Sequence, residues 1–239
     1  MISESISKNH SLSEFLEAAK REKAESQPFP YTLEVCRCRY CSYCQNGKCS
    51  LRRCCCISER VKAGSCTFSE LLRNCFANFK DNVFQLRLRI ACERAAEFRT
   101  CFLDAGHRGR FYEGISFMRK KEPKLIAQIY LLSASELLWM RAKQVMCAPT
   151  FIDYSCLDLK LTDLNAYLYF CTAVDICYGG SHINLYDLTL DEAIDLDAFR
   201  VICNAVAISL YGMDAVKVAE KQKRNKRKKK GKVSTNGRG

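Results

Sequence analysis

Apolar residues recur along most of this chain in the rhythm of helices. Ser11 with Glu14 three positions later forms a capping-box pattern ahead of Phe15, Leu16, Ala18 and Ala19, so a short helix is expected there, stopped by Pro28 and Pro30. Thr67 and Glu70 make a second such box. Beyond it, Phe84, Leu88, Ala91, Ala95, Phe98 and Phe102 follow the i, i+4, i+7 spacing of one buried face. The segment FQLRLRI also alternates strictly, but ACERAAEFRTCF continues at the 3.6-residue period, which favours helix. DAGHRGRFYEG, with Gly106, Gly109 and Gly114 among charges, reads as a loop. Pro123 suits a first helical turn, with Leu125, Ile129 and Leu132 on one face; Ser133 with Glu136 restarts a helix carrying Leu138, Ala142 and Val145. CLDLKL reads as a short strand, Thr162 as the cap of a helix closed by Gly179 and Gly180, and Phe199 to Leu210 as a last long helix stopping near Gly212.

The rhythm fails between Tyr31 and Cys66. YTLEV can be a short strand, and after it nine of the chain's 17 cysteines fall between Cys36 and Cys66, where Leu51, Ile57 and Val61 are the only large aliphatic residues. Burial alone cannot hold so small and so polar a unit, which is the usual condition for recruiting metal. The first twenty residues have no basic start followed by an apolar run, and no apolar stretch approaches 18 residues. A cytoplasmic location without a membrane span is therefore expected, with cysteines kept as thiols or metal ligands rather than disulfides.

Cys41, Cys44, Cys49 and Cys54 are spaced C-x2-C-x4-C-x4-C. Two cysteines three apart in a tight turn converge on one ion, and a glycine-containing loop brings the next ligands round to close a tetrahedron. Zn²⁺ suits four thiolates. The five cysteines left over, Cys36, Cys38, Cys55, Cys56 and Cys66, suffice for a second ion, and Cys38 with Cys41 is an entry pair of the same spacing as Cys41 with Cys44. The fourteen residues from Cys41 to Cys54 resemble the zinc knuckle of retroviral nucleocapsid and other nucleic-acid-binding proteins, C-x2-C-x4-H-x4-C. Cys49 stands where that family has histidine, Gly47 comes one place early and Tyr43 one place late. The resemblance implies single-strand recognition: an aromatic face stacks on a base while cationic side chains hold phosphates. Tyr40, Tyr43, Lys48, Arg52 and Arg53 are the residues it assigns to that work. A competing role for the arginines is to neutralise the clusters, since four thiolates on one Zn²⁺ carry a charge of about −2.

Other chemistries fit less well. Cys38, Cys41 and Cys44 match the start of the bacterial iron–sulfur run C-x2-C-x2-C-x3-C-P, but Cys49 follows one residue late and Ser50 replaces the proline. A thiol metal store or redox sensor is a further alternative. The eight cysteines outside the block are expected to pack as small hydrophobes. Asp175, Cys177 and His182 around YGGS contain the residue types of a thiol nucleophile, a base and an orienter, yet a helix ending at Gly179 presents the wrong dipole end to activate a thiolate. His107, between Gly106 and Arg108, reads as a surface loop residue.

The net charge of +12 divides unevenly. Residues 221–239 hold ten Lys or Arg and no acid, the block from Cys36 to Cys66 carries +6, and the remainder sums to −4. Lys223, Arg224, Lys226, Arg227, Lys228, Lys229 and Lys230 are expected to form a disordered electrostatic arm for phosphates, blind to sequence. Residues 111–213, notably IYLLSASELLWMRA, FCTAVDICYGGSHINLYDL and ICNAVAISLYGM, resemble an uncharacterised family of proteins from Gram-positive bacteria and their mobile elements, which implies a bacterial cytoplasmic protein and no known activity.

Together these readings predict a mainly α fold: an N-terminal helix and linker (1–30), a cysteine-rich module holding one or two Zn²⁺ (31–66), a helical domain (67–215) and a basic tail (216–239). The expected role is non-enzymatic contact with nucleic acid, preferably single-stranded. The alternatives are an adaptor for a protein partner with a purely structural zinc module, and an iron–sulfur or cysteine-dependent enzyme.

Overall fold

The structure is a computed structural model that describes residues 11–25, 44–45, 48–49, 57–62, 64, 66–98, 101–146, 152–160 and 162–220. Helix α1 spans Leu12–Glu25, and a two-stranded ladder pairs β1 (Cys44–Gln45) with β2 (Lys48–Cys49). Next come α2 (Ile57–Lys62), α3 (Phe68–Cys75), α4 (Asn82–Phe98), α5 (Ala105–Phe117), α6 (Pro123–Leu132) and α7 (Glu136–Val145). Then α8 covers Leu164–Tyr178, α9 Leu196–Tyr211 and α10 residues 213–220, with 3₁₀ turns at Tyr154–Cys156 and Asp187–Thr189. The protein is mainly α, as its apolar rhythm predicts.

Both capping boxes close. Ser11 N–H donates to Glu14 Oε2 at 3.0 Å and Glu14 N–H to Ser11 Oγ at 3.2 Å; Thr67 and Glu70 exchange the same pair at 2.6 and 3.1 Å. FQLRLRI is helix throughout, within α4. Pro123 takes the first turn of α6, and Gly179 ends α8 in the left-handed region at φ 80°, where a side chain would be strained.

At the centre lie α6 and α9. All residues of α6 from Leu125 to Leu132 are buried, and so are all those of α9 from Ala198 to Leu210. The sequence assigns each helix one buried face; instead each is enclosed all round, as suits an evenly apolar helix. Around α9 pack α1, α3, α4, α6 and α8, and α5 and α7 cover the other side of α6. Aromatic rings tie the layers together, Phe84 meeting Phe76, Phe79 and Phe199 at centroid distances of 5.0, 4.9 and 5.2 Å.

Four local expectations are corrected. The segment read as a glycine loop is helix α5, capped by Asp104, whose Oδ1 accepts the His107 N–H at 2.6 Å. Its glycine at 114 is there for packing: a Cβ would lie 2.5 Å from Trp139 Cη2 and 2.7 Å from Ile129 Cγ2. His107 is accordingly no surface residue, with no exposure at all. Among the described residues of CLDLKL there is no strand; Tyr154–Cys156 is a 3₁₀ turn, and residues 157–159 have no regular structure. The helix starts are capped by Ser135 and Asp163 rather than Ser133 and Thr162, because the side chains at 135 and 163 reach the N–H groups three residues on. YTLEV lies outside the described residues.

Candidate functional site

Of the proposed first zinc site, Cys44 and Cys49 lie on the described ladder, where they are directly paired, as are Gln45 and Lys48. Asn46 and Gly47 separate the strands. Cys41, Cys54, Cys36, Cys38, Cys55 and Cys56 lie outside the described residues, as do Tyr40, Tyr43, Arg52 and Arg53. Beyond the ladder, Ile57 and Val61 are buried in the core of the helical body, where α2 packs on α3. The two aliphatic residues counted toward the block's own interior thus serve to dock it. Cys66 is buried in the same core. Among the described residues no group of three His, Cys, Asp or Glu side chains could hold a metal ion.

The basic run from Lys221 lies outside the described residues, but its root is defined. Glu220, the last residue of α10, accepts hydrogen bonds from Arg108 Nε and the Tyr112 hydroxyl, both at 2.9 Å, which ties the end of α10 to α5. Among the described residues no helix is long and apolar enough to cross a membrane.

Of the scattered cysteines that are described, five pack as small hydrophobes, while Cys177 is half-buried and Cys156 is exposed, against expectation. Cys75, Cys92, Cys101, Cys171 and Cys203 are buried, and burial pushes the thiols of Cys92, Cys101, Cys171 and Cys203 upward, away from the reactive thiolate. His107 sits in a polar knot inside the core. Its Nδ1 accepts the Leu103 N–H at 3.2 Å, which makes Nε2 the donor to the Tyr130 carbonyl at 2.9 Å. The Tyr130 hydroxyl donates to the Cys101 carbonyl, and Asn204 Nδ2 reaches both groups, at 3.1 and 3.0 Å. Burial lowers the His107 imidazole to about 4. A neutral imidazole locked between two backbone groups is a structural part and no base.

The grouping with the features of a site lies at the end of α8. Asp175, its side chain fully buried, accepts from His182 Nδ1 at 2.7 Å, from the His182 N–H at 3.1 Å and from the Ile183 N–H at 2.8 Å. Gly179 makes the reversal that folds residue 182 back on 175, its N–H bonding the Asp175 carbonyl at 2.9 Å. Gly180 leaves room for the pair, since a Cβ there would stand 2.5 Å from Asp175 Oδ1 and 3.0 Å from His182 Nδ1. The returning loop is braced from two sides. Leu12 N–H donates to the Ile183 carbonyl at 3.1 Å, and the buried Arg87 gives Nη1 to Leu188 O at 2.9 Å and Nη2 to Ile194 O.

A carboxylate acceptor fixes Nδ1 as the donor and leaves Nε2 to the outside. The His182 side chain is 53% exposed and lines a cavity of about 320 Å³ with Tyr167, Leu168, Cys171, Ile183, Asp187 and Ile194. The sequence picks out Asp175 and His182 with Cys177 as the thiol; the structure joins the acid to the imidazole, and the thiol on the cavity is Cys171. Helix periodicity could have shown this, because Cys171 and Asp175 are four apart on α8 and Cys177 is only two away. Burial pushes the Cys171 thiol up, against the pull of its hydrogen bond with Tyr167, so the cavity presents a protonated thiol rather than a nucleophile.

No protein-family model, no curated protein and no solved structure matches the chain. The resemblances of residues 41–54 and 111–213 therefore rest on their own residues.

Proposed function

We propose that the protein is a non-enzymatic zinc-binding protein that contacts nucleic acid through its cysteine-rich block and its basic C-terminal run. The observation that carries the reading is the pairing of Cys44 with Cys49 across the β1–β2 ladder. Directly opposite positions of an antiparallel pair hold their Cβ atoms about 4.5–5.5 Å apart. Across such a gap two thiolates reach one Zn²⁺ with bonds of about 2.3 Å. In this reading Cys41 and Cys54 complete the tetrahedron, and Cys36, Cys38, Cys55 and Cys56 are the cysteines from which a second ion draws its ligands. The docking of Ile57 and Val61 into the helical body supports the same view, because it leaves the block with even less apolar surface of its own.

Tyr40, Tyr43, Lys48, Arg52 and Arg53 then supply stacking and phosphate contacts, and residues 223–230 supply sequence-blind attraction from a root fixed on α5 by Glu220. Neutralising about five to eight phosphates on a single strand gives a slope of log K on log salt of roughly −3.5 to −6. The test combines metal analysis of the purified protein with single-stranded oligonucleotide binding across salt, for the full chain, a chain ending at Glu220, and Tyr43→Ala. The expected result is one or two zinc ions per chain, a shallower slope without the arm, and weaker binding at every salt concentration in Tyr43→Ala. Metal-free protein with an intact β1–β2 ladder refutes the zinc half of the proposal. Absence of binding in all three proteins refutes the nucleic-acid half.

A further inference from the structure

The cavity beside Asp175 and His182 has no part in that function, yet it is built with care. A fully buried carboxylate orients the imidazole, a glycine clears space for the contact, and an arginine and the start of α1 brace the loop. Its volume of about 320 Å³ is at the lower end of the roughly 300–1,000 Å³ typical of small-molecule sites. The walls are aliphatic and aromatic, through Leu168, Ile183, Ile194 and Tyr167. Polar side chains stand on that lining as well: Tyr167 and Cys171, hydrogen-bonded to each other, and His182 and Asp187, whose Oδ2 already accepts the Asn184 N–H at 2.7 Å. At the mouth, Leu164, Tyr167 and Leu190 are left about half exposed, an apolar rim that a ligand body would cover.

Charge decides which polar group enters. Residues 161–197 hold seven acids and no Lys or Arg, in a chain whose net charge is +12. The nearby guanidinium of Arg87 is turned to the Leu188 and Ile194 carbonyls, and that of Arg200 to Asp197 at 3.3 Å. No cation lines the cavity, so an anion would meet a carboxylate with nothing to offset it. The acceptors presented are Asp187 and His182 Nε2, which call for a donor. A protonated amine supplies donors for both, and the Tyr167 ring offers it a π face.

We propose that this cavity is a binding site for a small primary amine carried on an aromatic or aliphatic body, held by Asp187 and the Asp175-oriented His182. Binding of 2-phenylethylamine, 2-phenylethanol and phenylacetate to the full-length, metal-replete protein is measured by calorimetry. The amine binds with one-to-one stoichiometry, and the alcohol and the acid bind at least about tenfold more weakly. Asp187→Asn removes the charge while keeping an acceptor for Asn184, and weakens amine binding by about tenfold with no change in the weak binding of the alcohol. His182→Gln weakens the amine similarly, its fold checked by Trp139 fluorescence. Equal binding of the three probes, or an Asp187→Asn protein that binds amine normally, overturns the proposal. So does binding of a peptide of residues 221–232 with no binding of the amine, which would make the acidic face a seat for a basic polypeptide.

Discussion

The helical body and the cysteine block follow different physical rules. In the body, α6 and α9 are enclosed on every side and stability comes from area removed from water, at about 25 cal/mol per Å². The block has a four-residue ladder, and the aliphatic residues that follow it are spent on docking to α3. A region of the first kind should respond to changes of volume and to buried polar groups; one of the second kind should respond to whatever holds its sulfurs. Trp139 separates the two experimentally, being the only tryptophan, buried in the body with its Nε1 donating to Glu113 Oε2 at 2.9 Å.

The largest expected effect therefore falls on the block alone. Structural zinc in small domains contributes about 10–16 kcal/mol of apparent binding free energy at neutral pH. Under the proposed function, chelation of the metal-replete protein should abolish amide protection of residues 44–49 while Trp139 fluorescence and the helical circular dichroism stay as they were. If the body melts with the block, the two are one cooperative unit and the contrast fails.

The next effect belongs to the body. Arg87 is only 7% exposed, and its guanidinium satisfies two backbone carbonyls and lies 4.8 Å from the Phe199 ring centroid. Arg87→Ala strands both carbonyls and removes a packed stem, at a cost of about 4 kcal/mol. Urea denaturation followed at Trp139 checks it; a loss under about 1 kcal/mol would mean that water replaces the arginine.

His107 gives a smaller, pH-dependent effect. Its folded-state value of about 4 lies below the ordinary value of 6.5, so between these the unfolded chain binds more protons than the folded one. Stability from this group is complete above about pH 6.5 and is lost as the pH falls toward 4, about 3 kcal/mol in all. The difference in unfolding free energy between the protein and His107→Gln should shrink by that amount between pH 7 and pH 4. A constant difference would show an imidazole that stays exposed to protons.

What the sequence made legible was local. Capping boxes and helical period act over three or four residues, so Ser11/Glu14, Thr67/Glu70 and α4 are found where they are expected. What it concealed depends on neighbours distant in the chain. The burial of α6 and α9 on all sides needs the layers supplied by α1, α3, α4 and α8, and the cavity needs α8 and residues 182–194 to meet. For the site, the acid and the imidazole are legible because one α-left glycine folds seven residues back on themselves; the thiol on the cavity follows from helical phase, which places Cys171 and not the nearer Cys177 on the face of Asp175.

Glycine 114 shows the same limit and sets the smallest of the tests. Counted along the chain, three glycines in nine residues mark a break, since each costs a helix about 1 kcal/mol relative to alanine. On propensity alone, Gly114→Ala should stabilise α5. The fold reverses that sign, because the added methyl would stand 2.5 Å from the ring of Trp139 and 2.7 Å from Ile129, and both are fully packed. Overpacking of this kind costs about 1–3 kcal/mol, which outweighs the propensity gain and leaves a net loss of about 1 kcal/mol. Thermal unfolding should register that as a lower midpoint, accompanied by a shift in Trp139 emission as the indole is displaced. Gly109→Ala is the internal control, because a Cβ at that position meets nothing within 4 Å. There the propensity term acts unopposed, and the same substitution one and a half turns away in the same helix should raise the midpoint instead of lowering it.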